Sequence, residues 1–233
     1  MSEVIGIIGA LDYEIDVLKS AMVDCKEVDF AKRHFYIGKI SGKEVVLVKC
    51  GVGKVNSAIT AQMMIDRFNI TCIINTGVAG SLNAKIDIGD IVIAEDAVYH
   101  DVENIAFGFD RGQVPYEDVM FFPMSKKLAD TAEEISKRIN PDIKVFRGRI
   151  ASGDQFIADK KTKDNIVEWF NPLCVEEEGC PMAHTAYEND IPCLIIRAIS
   201  DKADDSAEED FPTFAQKAAK HSAKLLLEMI EKI

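Results

Sequence analysis

Short apolar runs without polar interruption alternate along this chain with longer runs whose apolar residues recur at helical spacing, a pattern that leaves few folds open. Val4–Gly9 reads as a buried strand and Leu11–Met22 as a helix. His34–Ile40 and Lys43–Cys50 flank Ser41-Gly42, the signal of a tight hairpin. Val55–Phe68 has helical spacing, and Thr71–Thr76 is strand-like and ends in the glycine-containing stretch Gly77–Gly80. Further strands are expected at Asp90–Ala94, Ile143–Ile150, Leu173–Val175 and Pro192–Ile199. Further helices are expected at Ser125–Ile139, Lys160–Phe170, in the stretch that follows Val175, and from Phe211 to Ile233, where Phe211, Phe214, Ala218, Leu225, Met229 and Ile233 fall near one face. The pattern predicts an α/β fold, a three-layer αβα sandwich around a largely parallel central sheet made mixed and twisted by the hairpin.

Composition narrows the function. Hydrophobic residues make up 48% and charged residues 28% of 233, ordinary globular values. No Pro/Ser/Gly-rich linker divides the chain, so a single domain over residues 1–233 is expected. Lys+Arg 27 against Asp+Glu 39 gives a net charge of −12, which repels phosphate backbones and anionic lipid; neither nucleic acid nor membrane is an expected partner. Asp12 and Glu14 interrupt the first apolar stretch, which also lacks a basic start, so it does not read as a secretion signal. No apolar run approaches the ~20 residues of a membrane span. The six cysteines form no CxxC pair and fit reduced thiols in a cytoplasmic protein. Cys180 lies among glutamates that disfavour a thiolate and is not a candidate nucleophile.

In open α/β sheets, ligands bind beyond the carboxyl ends of strands. Glu14, Asp154, Glu176–Glu178 and Asp201 each follow an apolar run, so several carboxylates are expected on one sheet edge. Each could instead cap a helix or face water. Gly6–Ala10 lacks the third glycine of a dinucleotide loop, and Gly51-Val52-Gly53-Lys54 lacks the GK[ST] of a phosphate loop. His34, His100, His184 and His221 share no metal-ligand spacing, and no GxSxG elbow is present, so neither a metal nor another cofactor is expected.

Taken together, several blocks in order resemble the methylthioadenosine/S-adenosylhomocysteine nucleosidases of the nucleoside phosphorylase superfamily. They are IGIIGAxxxE (5–14), KCGVGKVNSA (49–58), INTGVAGSL (74–82), YHD…AFGFDRGQVP (99–115), ASGDQFI (151–157), VEEEG (175–179) and RAISDKAD (197–204). The resemblance implies hydrolysis of the N-glycosidic bond of adenine nucleosides. By it, Asp201 is the acid that protonates the purine and Glu14, with Arg197 nearby, activates water. Glu178 holds the ribose hydroxyls, Phe156 stacks on adenine, the Ile157 backbone reads its edge, and Phe211 covers the sugar. Val78, Ala79, Gly80, Glu176, Glu177 and Ser200 complete the substrate site. Leu11 and Val52, with Asn104, Phe107, Phe109 and Pro115 lent by a second subunit, form the 5′ pocket of a homodimer. The superfamily's phosphorylases carry an arginine in their N-terminal loop; residues 9–14 here have none and offer Asp12 and Glu14, which favours water over phosphate.

Four positions depart from the family pattern: Glu177 stands where Met is usual, Asn104 for Val, Phe109 for Tyr and Val78 for Ser. Glu177 and Asn104 make the 5′ side more polar, which opens an adenosine-preferring alternative unless Glu177 turns outward. A purine nucleoside phosphorylase and a nucleoside-binding module without catalysis are the remaining alternatives.

Overall fold

Among the described residues ten strands hydrogen-bond into one sheet, and its two faces carry different helices. The computed structural model describes residues 3–139 and 142–233. The strands are β1 Val4–Gly9, β2 Val23–Phe30, β3 Arg33–Ile40, β4 Lys43–Lys49, β5 Cys72–Ser81, β6 Ile91–Tyr99, β7 Phe122–Pro123, β8 Val145–Ser152, β9 Cys174–Glu176 and β10 Cys193–Asp201. The helices are α1 Asp12–Ala21, α2 Lys54–Phe68, α3 Lys126–Ile139, α4 Lys160–Phe170, α5 Gly179–Glu188 and α6 Ala207–Ile230. Among the described residues no helix is long and apolar enough to cross a membrane.

β1 shows why the uninterrupted apolar runs lie in the middle of the sheet. Ile8 packs among α2 and α5 residues such as Met64 and Met182, while Ile5 and Ile7 pack among α1, α3 and α6 residues such as Leu18, Leu128 and Leu226. A strand covered on both faces has no use for alternation. The same holds for β10, where Ile195 faces one layer and Leu194 and Ile196 the other. The three-layer αβα arrangement follows.

Several features differ from the sequence expectation, among them β6, which runs on to Tyr99, and the short β7. β2, VDCKEVDF, is a strand despite its charge, because it lies at the sheet's edge with every residue from Val23 to Asp29 exposed. Charged, irregular edge strands are a common guard against edge-to-edge association. β5 continues through the glycine stretch to Ser81. The sheet is not largely parallel: five of its ten pairings run antiparallel. β10 pairs with both β5 and β6, so that β5, β9, β8, β6 and β10 close into a ring. The ends of β5, β9 and β10, the segment after β8 and the turn after β1 line one cavity.

Candidate active site

β1 ends at Gly9 and α1 begins at Asp12, so the first turn of the helix has N–H groups without intrahelical partners. Leu11, at the cap position, has no polar side chain to satisfy them. Glu14 folds back instead: its Oε2 accepts the N–H of Ala10 at 2.7 Å and of Leu11 at 2.9 Å. Its Oε1 reaches across to β5 and accepts the N–H of Val78 at 3.1 Å. Glu14 is therefore both a helix cap and a buried carboxylate, 4% exposed. Burial raises its proton affinity, against the pull of Arg197 and the three backbone N–H groups.

Asp201 ends β10 at a bulge opposite Gly80. Its Oδ1 accepts the Ala203 N–H and its Oδ2 the Ser200 hydroxyl, both at 2.8 Å. It is 2% exposed; burial, reinforced by Asp210 and Asp204, holds its carboxyl above the ordinary range despite those two bonds. The glycines of β5 make room for both acids. A Cβ on Gly77 would stand 2.5 Å from Glu14 Oε1, and one on Gly80 would stand 2.7 Å from Asp201 Oδ1. Three residues of extended strand separate these points, roughly 10 Å, space enough for a sugar–base bond between them.

The third carboxylate group comes from the turn between β9 and α5. Glu178 Oε1 accepts the Gly53 N–H at 2.8 Å, and its carboxyl is pushed up by burial, by Glu176 and by Glu14, against Arg197 and that N–H. Glu176 caps α5 through the N–H groups of Glu178 (3.0 Å) and Gly179 (2.7 Å) and also bonds Ser152 and Arg197. Arg197, 1% exposed, bonds Asn75 as well.

Glu14, Glu178 and Asp201 bound one cleft, a few convergent polar groups among apolar walls. Leu11, Glu14, Val52, Val78, Ala79 and Gly80 line one part of it; Phe156, Ile157, Glu176–Glu178, Ser200, Asp201 and Phe211 line the rest. Phe156 and Phe211 meet edge to face, ring centroids 5.5 Å apart. The sequence reading missed Ala10, Gln155 and Val175, which also line the cleft. Of these, Gln155 carried a signal, since it follows Asp154 in a post-strand loop.

Some expected residues lie elsewhere. Arg197 does not line the cleft: it sits behind the wall, where its charge neutralises Glu176. Replacing it with Leu strands a buried carboxylate; a loss of about 3–5 kcal/mol is expected, read as a lower urea midpoint. Asp154 is exposed and joins loops instead, accepting the Lys54 N–H at 2.7 Å and donating its own N–H to Asp101 at 2.9 Å. Asn104, Phe107, Phe109 and Pro115 are on a loop outside this chain's cleft; Phe107 is 80% exposed, and Phe109 packs on Tyr116. Among the described residues, the carboxylate–histidine groups spaced closely enough for an ion, Glu27–Asp29–His34 and Glu117–His184–Glu188, do not line the cleft either.

The model of the phosphorylase superfamily matches residues 4–231. A 5′-methylthioadenosine/S-adenosylhomocysteine nucleosidase of Halalkalibacterium halodurans is 39% identical over 230 residues, 98% of this chain and 98% of that protein. The structure of the enzyme of that name from Neisseria meningitidis, in complex with methylthio-immucillin-A, superposes with a TM-score of 0.96 at 35% identity, covering 99% of this chain and 100% of that one. The futalosine hydrolase of Helicobacter pylori superposes at 0.95 with 35% identity, covering 100% of this chain and 99% of that one. By these matches, the chain belongs to the 5′-methylthioadenosine/S-adenosylhomocysteine nucleosidase family of the phosphorylase superfamily.

Proposed function

We propose that this protein hydrolyses the N-glycosidic bond of adenine nucleosides of the methylthioadenosine and S-adenosylhomocysteine type, releasing adenine and the ribose moiety. The observation that carries the reading is the pair of buried acids, Glu14 and Asp201, on one cleft in unlike hydrogen-bond settings. Burial raises the proton affinity of both acids, but Arg197 and three N–H donors pull Glu14 back toward the ionised form that a base requires. Asp201 has two donors and two nearby aspartates that favour its protonated form, as an acid requires. As the C1′–N9 bond breaks, Asp201 gives its proton to purine N7. Water adds to C1′ and gives a proton to Glu14. Glu178 accepts hydrogen bonds from the ribose diol. Phe156 stacks on adenine, the Ile157 backbone reads its edge, and Phe211 closes the sugar side.

Water rather than phosphate is the nucleophile. The turn after β1 presents the Glu14 carboxylate and no arginine to the cleft, while Asp12 pairs with Lys49 outside it, so an incoming phosphate dianion would meet repulsion and no cation there. The test is adenine release from a nucleoside panel in phosphate-free buffer. Full turnover without phosphate supports hydrolysis; turnover that depends on added phosphate contradicts it.

The working unit in this reading is a single-domain chain in a cytoplasmic homodimer. Ile105, Phe107 and Tyr116 on the 102–120 loop, and Val52, Val55 and Ile59 at the start of α2, are exposed apolar side chains. A second copy would cover them and bring Asn104 to Pro115 to the open 5′ end of its neighbour's cleft. Light scattering should give twice the chain mass; a monomer at micromolar concentration would refute the shared pocket.

A further inference from the structure

Three residues that do not line the cleft, Lys54, Asp101 and Asp154, close a circuit of hydrogen bonds beside it. Asp101, two residues beyond β6, uses a single carboxylate oxygen for two partners. Its Oδ2 accepts the Lys54 ammonium at 2.7 Å and the Asp154 N–H at 2.9 Å. Asp154 Oδ1 completes the circuit by accepting the Lys54 N–H at 2.7 Å. The side chains of Lys54 and Asp101 are 22% and 15% exposed, so water screens their ion pair less than one on the open surface.

The circuit joins two segments that do reach the cleft. Lys54 follows Val52, which lines it, and Gly53, whose N–H holds Glu178. Asp154 precedes Gln155, Phe156 and Ile157, which line it as well. Residues 153–159 belong to no helix or strand, so this loop has no ladder of its own to fix the Phe156 ring. The packing is close on both sides. A Cβ on Gly53 would stand 3.0 Å from Asp154 Oδ1, and one on Gly153 would stand 2.4 Å from His100 Nε2 and 2.9 Å from Asp101 Cγ.

We propose that Asp101 is a positioning residue, which holds the loop carrying Phe156 and Ile157 in register with the turn that holds Glu178. The inference rests on the nucleosidase reading above and deepens it. In that reading the loop takes adenine and Glu178 takes the ribose diol, so one substrate spans both segments. Its affinity then depends on a spacing that the Asp101 carboxylate sets in advance. Glu14 and Asp201 are held by other bonds, to α1's first turn and β5 and to Ser200 and Ala203. The proton transfers should therefore survive in whatever substrate still binds.

The experiment measures KM and kcat for methylthioadenosine and for S-adenosylhomocysteine with the wild type, Asp101→Ala, Asp101→Asn and Lys54→Met. Asp101→Ala should raise KM by about tenfold, the scale of one hydrogen bond to a charged group, and change kcat less than KM. The rise should be alike for the two nucleosides, which share adenine and the diol and differ at the 5′ carbon. Asp101→Asn should stay within about threefold of wild type, because its amide oxygen can accept both bonds that Oδ2 accepts. Lys54→Met keeps the Asp101–Asp154 bond and should fall between the two; it decides the matter if Asp101→Ala does not fold. A merely structural role would lower the fraction of active enzyme, which reduces apparent kcat and leaves KM unmoved. An unmoved KM, a rise confined to one nucleoside, or an Asp101→Asn KM as high as that of Asp101→Ala would overturn the positioning role and leave the nucleosidase reading in place. No release of adenine from either nucleoside by the wild type would remove that reading, and this inference with it.

Discussion

Asp201→Asn should lower kcat by about 10²–10⁴-fold, the usual contribution of a positioned general acid, with the fold intact. Asparagine keeps the shape of the side chain and can still accept the Ala203 N–H. What it lacks is the proton. The pH profile is the second readout. Wild-type activity should fall on the alkaline side as Asp201 ionises, and the variant has no such proton to lose, so that limb should vanish. Stability moves the other way. A carboxyl whose proton affinity is raised by folding contributes most stability below the ordinary carboxylate pKa, and that contribution is lost as pH rises through its raised value. At neutral pH the wild type therefore carries a strained acid that Asn relieves. Thermal unfolding at neutral pH should find Asp201→Asn at least as stable as the wild type.

Glu14→Gln should cost a similar 10²–10⁴-fold in kcat, but with a different stability signature. The wild-type carboxylate accepts three N–H groups from two elements, α1's first turn and β5. Glutamine has one oxygen, which can keep the Ala10 and Leu11 bonds, and its amide nitrogen then faces the Val78 N–H. One buried donor loses its acceptor, at a cost of about 1–3 kcal/mol. The pair of variants thus separates chemistry from architecture. Both should lose turnover, and Glu14→Gln alone should unfold at lower temperature. Turnover close to wild type in either variant would remove the role assigned to that residue.

The legible parts of the fold were those whose physics is local. β1 and β10 are apolar runs covered on both faces, and the helix expected at Lys160–Phe170 is α4, with Asp159 and Asn171 at its caps. β2 was not legible, because an exposed edge strand needs no apolar face. The antiparallel pairing of β6 with β10, which closes the ring, joins residues about a hundred positions apart and leaves no periodic trace. Gly77 and Gly80 look like turn residues in sequence; in space they are strand residues kept small by the carboxylates of Glu14 and Asp201.

The cleft shows the same division. Acids placed just after apolar runs marked Glu14, Glu176, Glu177, Glu178 and Asp201 correctly as neighbours of one cavity. The same rule admitted Asp154, which an adjoining loop holds at the surface through Lys54 and Asp101. It could not tell that Arg197 points into the protein, since β10 is buried on both sides and either face was open to it.

A crystal structure of Asp201→Asn with an uncleaved adenine nucleoside tests the division of labour between the two acids most directly. The expected result places purine N7 within about 2.6–3.2 Å of the residue 201 side chain, with a water held between Glu14 and C1′. A base seated away from residue 201, or a Glu14 carboxylate directed away from the anomeric carbon, would contradict it.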